Sequence, residues 1–192
     1  MTTILHLSSS ARTEGSVSRL LTKRLIDRFP SDSVVIERDL ADGVPQLTDA
    51  HIGAVYTPPE QRTTEQQQLL SVGDEFIAEL RNADVVVIGT PIYNFGPPAE
   101  LKAWFDHVAR SGETFEANEG GFTGLLEDRP TYVAFASGGV PVGSPVDFLT
   151  PWIRAALGLV GISSIEVVAA EGVFSDETAV EGAEKQVDSL VL

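Results

Sequence analysis

Short runs of apolar residues alternate along the chain with longer stretches in which apolar residues recur every three or four positions. The short runs have the length of β-strands and are rich in Val and Ile, whereas the longer stretches have the spacing of helices with one buried face. This pattern predicts strands at residues 3–7, 33–38, 83–88, 131–136 and 165–170. It predicts helices at residues 16–29, 60–82, 100–110, 147–160 and 176–190.

The alternation of strands and helices determines the expected fold. Consecutive strands separated by a helix run parallel and are joined by right-handed crossovers. Five such strands match a single α/β domain, residues 1–192, with a flavodoxin-like doubly wound sheet, strand order 2-1-3-4-5, and helices on both faces. In that order the connections after the first and third strands open a crevice, where we expect a ligand.

The connection after the third predicted strand, residues 89–98, carries two aromatic rings and an amide. Ile92, Tyr93, Asn94 and Phe95 stand at its centre. Aromatic faces, an amide and accessible backbone N–H groups suit a flat ring with polar edges, such as a flavin. The alternative is a turn whose two aromatic side chains only cap the core.

The connection after the first predicted strand, residues 8–18, runs directly into a helix. The start of that helix presents unpaired N–H groups and the positive end of the helix dipole. The connection also contains six hydroxyl side chains: Ser8, Ser9, Ser10, Thr13, Ser16 and Ser18. These donors suit a phosphate monoester, which we expect the connection to bind. Because it matches neither a Walker A loop nor G-x-G-x-x-G, we expect neither a nucleoside triphosphate nor a Rossmann-bound dinucleotide there. The alternative is that Ser16 or Ser18 is only a helix N-cap.

The fourth predicted strand ends in Ala136, Ser137, Gly138 and Gly139. Paired glycines allow backbone N–H groups to approach the edge of a ligand, although they also occur in flexible turns. A phosphate loop, an aromatic–amide loop and a glycine loop on one edge of a sheet together predict a flavin mononucleotide site.

Composition limits the other function classes. A net charge of −15 repels phosphate backbones, so we expect no nucleic-acid partner. No stretch approaches the ~20 apolar residues of a membrane span, and the first residues lack the charged start of a signal peptide. The chain has no cysteine, which excludes disulfides and fits a cytoplasmic protein. His6 in a strand, His51 in a loop and His107 on a helix show no metal-ligand spacing, so no metal site is expected.

Six segments resemble the FMN-dependent NADH-azoreductases, a family also described as NADH:quinone oxidoreductases. They are residues 91–95, 101–110, 112–115, 147–151, 158–162 and 170–172. The resemblance implies that Ser10, Ser16, Val17 and Ser18 bind the FMN phosphate. It implies that Ile92, Tyr93, Asn94 and Phe95 lie along the isoalloxazine, with Ala136, Ser137, Gly138 and Gly139 at its pyrimidine edge. The family often has Ser or Thr followed by Arg where this chain has Ala136 and Ser137.

The resemblance implies a two-electron, ping-pong hydride transfer from NADH or NADPH to quinones or azo compounds. The flavin carries this chemistry, and no side chain is assigned as catalytic. It also implies a homodimer, in agreement with two adjoining apolar stripes on the fourth predicted helix, one starting at Phe148 and the other at Leu149. A non-enzymatic, flavodoxin-like electron carrier is the alternative function.

Overall fold

The computed structural model describes residues 1–192, which form a central five-stranded parallel sheet and a separate two-stranded hairpin. The strands are β1 (Thr3–Ser8), β2 (Val34–Asp39), β3 (Val85–Pro91), β4 (Phe115–Asn118), β5 (Gly121–Gly124), β6 (Thr131–Ser137) and β7 (Ile165–Glu171). The sheet has the order β2-β1-β3-β6-β7, and β4 and β5 form the hairpin. Counted within the sheet alone this is 2-1-3-4-5, so the predicted flavodoxin-like topology is confirmed.

Helices cover both faces of the sheet, as predicted. They are α1 (Val17–Ile26), α2 (Asp49–Tyr56), α3 (Thr64–Asn82), α4 (Ala99–Val108), α5 (Leu149–Val160) and α6 (Ala179–Ser189). Side chains of α1 and α6 share one apolar core with the sheet, and those of α3, α4 and α5 share the other. None of the helices has the length and apolar character needed to cross a membrane.

The cores explain why the apolar runs of the sequence are informative. Every residue of β3 is buried, as expected for the central strand of a sheet covered on both faces. Trp104 and Phe105 of α4 pack against one face, and Leu21 and Leu25 of α1 against the other. Burying side chains of this size contributes about 1.5–3 kcal/mol each to the free energy of folding.

The start of α5 is fixed by Asp147, which lies just before the helix. Its Oδ1 accepts hydrogen bonds from the backbone N–H groups of Leu149, at 3.1 Å, and Thr150, at 3.0 Å. Burial alone would raise the pKa of Asp147, but these and other backbone donors hold it below its ordinary value. Pro151 is the third residue of α5 and does not interrupt it, because the first turn needs no intrahelical N–H donors.

Two elements were not predicted. Helix α2 begins with a capping box between Thr48 and His51, so the prediction that His51 lies in a loop is wrong. The hairpin of β4 and β5 packs against the end of α5, where Gly124 lies directly on the backbone of Gly161.

Candidate active site

The connections after β1, β3 and β6 meet at the carboxyl edge of the sheet. Ser8 pairs with Gly89 across β1 and β3, and Pro91 pairs with Ala136 across β3 and β6. Between these connections lies a cleft with a volume of ≈ 350 Å³, which falls within the range of small-molecule sites. It is lined by Ser10, Arg12, Gly15, Ser16, Val17, Pro91, Ile92, Tyr93, Asn94, Ala136, Gly138, Val173 and Phe174. Most of the predicted site residues therefore surround one cleft.

The phosphate loop, residues 8–18, brings backbone donors to this cleft. The N–H groups of Val17 and Ser18 belong to the first turn of α1 and have no hydrogen-bond partner within the chain. Ser10 is buried, and its Oγ accepts a hydrogen bond from the N–H of Arg12 at 3.2 Å. The side chain of Arg12 is exposed at the cleft, which adds a positive charge to an otherwise acidic protein.

Ser16 is the N-cap of α1, as one of the alternatives from the sequence proposed. Its Oγ lies 3.5 Å from the N–H of Arg19, too long for a strong hydrogen bond, and 3.3 Å from the Oγ of Ser18. Ser16 also lines the cleft, so capping the helix and facing a ligand are compatible roles for this residue.

The aromatic–amide connection is a tight turn with positive backbone angles. Tyr93 and Gly96 exchange two backbone hydrogen bonds of 3.0 Å. Between them, φ is 47° at Asn94 and 75° at Phe95, the arrangement of a type I′ turn. A phenylalanine rarely adopts this conformation, and such strain is concentrated at functional sites. Tyr93 is 37% and Phe95 52% exposed, which does not fit rings that merely cap the core.

The glycine loop, Ala136 to Gly139, is folded by the side chain of Ser137. The buried Ser137 Oγ accepts hydrogen bonds from the N–H groups of Gly139, at 3.2 Å, and Val140, at 2.6 Å. The N–H of Gly138 has no partner within the chain, so it is the free backbone donor of this loop. Ser137 and Gly139 themselves do not line the cleft.

Two further residues of the cleft follow the edge strand β7. The N–H of Val173 donates to the carbonyl of Ser137 at 3.0 Å, which brings this segment beside the glycine loop. The ring of Phe174 then lies against Gly138. The sequence contained one signal for this: an aromatic residue soon after a strand whose carboxyl end lies on the ligand-binding edge.

The histidines lie away from this cleft. His51 and His107 approach edge to face, with ring centroids 5.5 Å apart, beside a separate cavity of ≈ 230 Å³ between α2, α3 and α4. Burial, together with the neighbouring His107, lowers the pKa of His51. The His107 ring bonds the carbonyl of Pro45 at 2.8 Å, a contact that fixes α4 against the segment before α2.

Comparisons with known proteins identify the family of the chain. The family described as "Flavodoxin-like fold" matches residues 2–191. The chain is 46% identical over 194 residues to the FMN-dependent NADH:quinone oxidoreductase of Cereibacter sphaeroides (strain KD131 / KCTC 12085), with 99% of each chain covered. It is 47% identical over 191 residues to the FMN-dependent NADH:quinone oxidoreductase 1 of Jannaschia sp. (strain CCS1), again with 99% of each covered.

Solved structures show the same relationship. The crystal structure of an FMN-dependent NADH-azoreductase from Bacillus anthracis, in complex with FMN, matches with a TM-score of 0.87 at 25% identity. The match covers 98% of this chain and 96% of the azoreductase chain. By fold, sequence and structural similarity, this chain belongs to the family of the FMN-dependent NADH:quinone oxidoreductases, within the flavodoxin-like fold.

Proposed function

We propose that this protein binds FMN in the carboxyl-edge cleft and transfers two electrons from NADH to quinones, with aromatic azo compounds as a second class of acceptor. The observation that carries this proposal is the pairing of unpartnered N–H donors at the start of α1 with an aromatic–amide turn across the same cleft. The first suits a phosphate and the second a flat ring, and FMN contains both.

The residues present fit the phosphate of FMN. Its oxygens accept hydrogen bonds, and the N–H groups of Val17 and Ser18 and the hydroxyls of Ser10 and Ser16 offer donors. The helix dipole of α1 and the side chain of Arg12 supply local positive charge. This local charge is needed because the net charge of the chain, −15, repels an anion at longer range.

The side of the cleft across from the phosphate loop, formed by the aromatic–amide turn, suits the isoalloxazine ring of FMN. Ile92, Tyr93 and Asn94 line the cleft, whereas Phe95, at the same turn, does not. We assign the first three to the isoalloxazine, with Phe95 beside them at the rim and the glycine loop at the pyrimidine edge. Gly138 lines the cleft and its N–H has no partner in the chain, so this donor would stabilise negative charge on the pyrimidine edge of a bound ring. FMN, when bound, supplies the chemistry itself, accepting hydride from NADH and delivering two electrons to the acceptor. The protons that complete the hydroquinone come from solvent, since we assign no side chain as a proton donor.

The cleft would hold FMN between the phosphate loop and the aromatic–amide turn, and we propose that NADH and the acceptor would use one shared position beside it in turn. NAD⁺ then leaves before the quinone or azo compound enters. We therefore propose ping-pong kinetics, in which plots of reciprocal rate against reciprocal NADH concentration are parallel at different quinone concentrations.

We also propose that the protein is a homodimer. Phe95 and Phe148 are 52% and 57% exposed, and the N–H of Phe148 donates to the carbonyl of Phe95, so the two form one aromatic patch near the cleft. On α5, Trp152 and Leu159 are only partly buried within the chain. Exposed apolar area of this kind is typical of a protein interface. Size-exclusion chromatography with light scattering tests the proposal, and a monomer at micromolar concentration contradicts it.

The decisive experiment on function has two stages. Purified protein should be yellow with flavin absorption bands and should turn over with NADH and a benzoquinone in steady state. Protein that remains colourless after incubation with FMN contradicts the proposed site. Protein that binds FMN but is reduced only when a separate reductase is added is an electron carrier instead. NADPH in place of NADH measures the donor preference.

A further inference from the structure

We infer that Arg19 is a positioning residue for the phosphate loop: held by Asp39 at the end of β2, it binds two loop carbonyls and so keeps the loop's N–H groups turned toward the cleft. This inference rests on the proposed binding of FMN. It assigns a role in that binding to two residues, neither of which lines the cleft.

The orientation of the peptide groups in the phosphate loop is an electrostatic requirement of phosphate binding. A loop that binds phosphate must present N–H groups to it and keep its carbonyl oxygens away, because carbonyl and phosphate oxygens repel each other. The phosphate loop has several carbonyls outside regular structure, and each needs a partner on the side facing away from the ligand.

Arg19 supplies that partner for two of them. Its Nη2 donates to the carbonyl of Ser10 at 2.8 Å, and its Nε donates to the carbonyl of Arg12 at 2.9 Å. Ser10 and Arg12 both line the cleft, so one guanidinium fixes the backbone at two cleft residues. Arg19 lies in the first turn of α1, and the helix holds its side chain beside the loop.

Asp39 fixes the guanidinium in turn. Nη1 and Nη2 of Arg19 donate to Oδ2 and Oδ1 of Asp39 at 2.7 and 2.8 Å, a bidentate pair. Asp39 is paired with Ser8 in the sheet, so the end of β2 lies beside the start of the phosphate loop. The hydrogen bond from Arg19 lowers the pKa of Asp39, so its carboxylate keeps its charge further into acid than an ordinary aspartate does.

These contacts indicate that Arg19 positions the phosphate loop and does not itself bind the phosphate. Four of the five guanidinium N–H groups are used, two by Asp39 and two by the carbonyls. Asp39 also neutralises the charge of Arg19, which leaves Arg12 as the cation facing the cleft. A lysine cannot reproduce this arrangement, because one ammonium group lacks the planar fork that reaches two carbonyls and a carboxylate together.

The test compares FMN with riboflavin, which has the same ring but no phosphate. The variants are Arg19→Met, Arg19→Lys and Asp39→Asn, with Arg24→Met as a control on the same helix, where Arg24 pairs with Asp188 on the protein surface. Each protein is stripped of flavin, checked by circular dichroism for an intact fold, and titrated with either flavin by fluorescence quenching.

We expect Arg19→Met and Arg19→Lys to raise the Kd for FMN at least about tenfold, with the Kd for riboflavin changed less than about threefold. We expect Asp39→Asn to have a smaller effect of the same kind, and Arg24→Met to have none. An equal loss of both flavins, or full FMN affinity in Arg19→Lys, overturns the inference. Wild-type protein that binds neither flavin instead overturns the proposed function, so the two failures are distinguishable.

Discussion

The ring of Phe174 lies so close to Gly138 that a methyl group added at position 138 would overlap it. Both residues line the candidate cleft, one after β7 and the other after β6. Phe174 is 83% exposed, so its position depends on the absence of a side chain at residue 138 rather than on burial in the core. The pair sets the width of the cleft beside the free N–H of Gly138.

Replacing Gly138 with Ala should displace the ring of Phe174. Because that side chain is exposed and free to rotate away, we expect the free energy of unfolding to change by less than about 1 kcal/mol. We expect FMN affinity to fall several-fold, measured by quenching of flavin fluorescence. In the Phe174→Ala background the same glycine substitution should have less effect, since residues in contact are coupled. Additive effects of the two substitutions would contradict a direct contact.

Removing the hydroxyl of Ser137 should loosen the glycine loop. The Oγ of Ser137 is the common acceptor for two N–H groups, so Ser137→Ala should lower the free energy of unfolding by about 0.5–1.5 kcal/mol in urea. FMN affinity should fall as the direction of the Gly138 N–H becomes less fixed. Ser71→Ala, at an exposed hydroxyl on α3, is the control and should change neither quantity. An unchanged FMN affinity in Ser137→Ala would show that this turn does not direct the ligand.

The contact between Gly124 and Gly161 should not tolerate a side chain. A Cβ on Gly124 would fall within the backbone of Gly161, which, unlike an exposed ring, has no way to move aside. We expect Gly124→Ala to lower the free energy of unfolding by about 1–3 kcal/mol. Gly120→Ala, in the same hairpin, is the matched control and should be nearly neutral, because a Cβ added there would lie 3.5 Å from its nearest contact, Asn118 Oδ1. Equal unfolding midpoints for the two variants would disprove the close packing.

The carboxylate of Asp128 should make stability depend on pH in acid. Backbone N–H groups of Ser164 and Ser163, and their hydroxyls, hold its pKa well below the ordinary value. In the unfolded chain the pKa returns to about 3.9, so the carboxylate stabilises the fold above that pH and loses this effect as the pH falls further.

Asp128→Asn should therefore be less stable than the wild type at pH 7. The difference should shrink below about pH 4, measured by urea unfolding across the pH range. The substitution Asp32→Asn, at an exposed position, is the control. A stability difference that stays constant from pH 7 to pH 2 would contradict this role of the Asp128 charge.

The sheet was predictable because its strands are buried on both faces. In β3 every side chain needs an apolar environment, which leaves an apolar run in the sequence that only Asp84, just before the strand, interrupts. Helix α2 left no such signal: it has eight residues, of which only His51 and Ala54 are buried. The hairpin strands have four residues each and are mostly exposed, so their apolar pattern is weak.

Some residues of the candidate site could likewise be predicted from the sequence, and others could not. The three loops can be recognised in the sequence because they are rich in hydroxyl groups, glycine or aromatic residues. The strand order alone then places them on one edge of the sheet. Arg19, Asp39 and Phe174 act through contacts with residues distant in sequence. Nothing local distinguishes Arg19 and Asp39 from surface residues, and the only signal for Phe174 is its place soon after a strand that ends on this edge. The sequence also does not show that the hydroxyl of Ser137 bonds its own loop instead of a ligand.

Because Arg19 joins the phosphate loop to Asp39, we expect ligand binding in the cleft to be coupled to β2, one of the two edge strands of the sheet. Strand β2 has β1 as its only neighbour, and edge strands of this kind open readily to solvent. A ligand that binds the phosphate loop in this arrangement should therefore slow deuterium uptake along β2. This protection should extend to amides that no ligand atom touches, through the contacts of the Arg19 guanidinium with Asp39 and the loop.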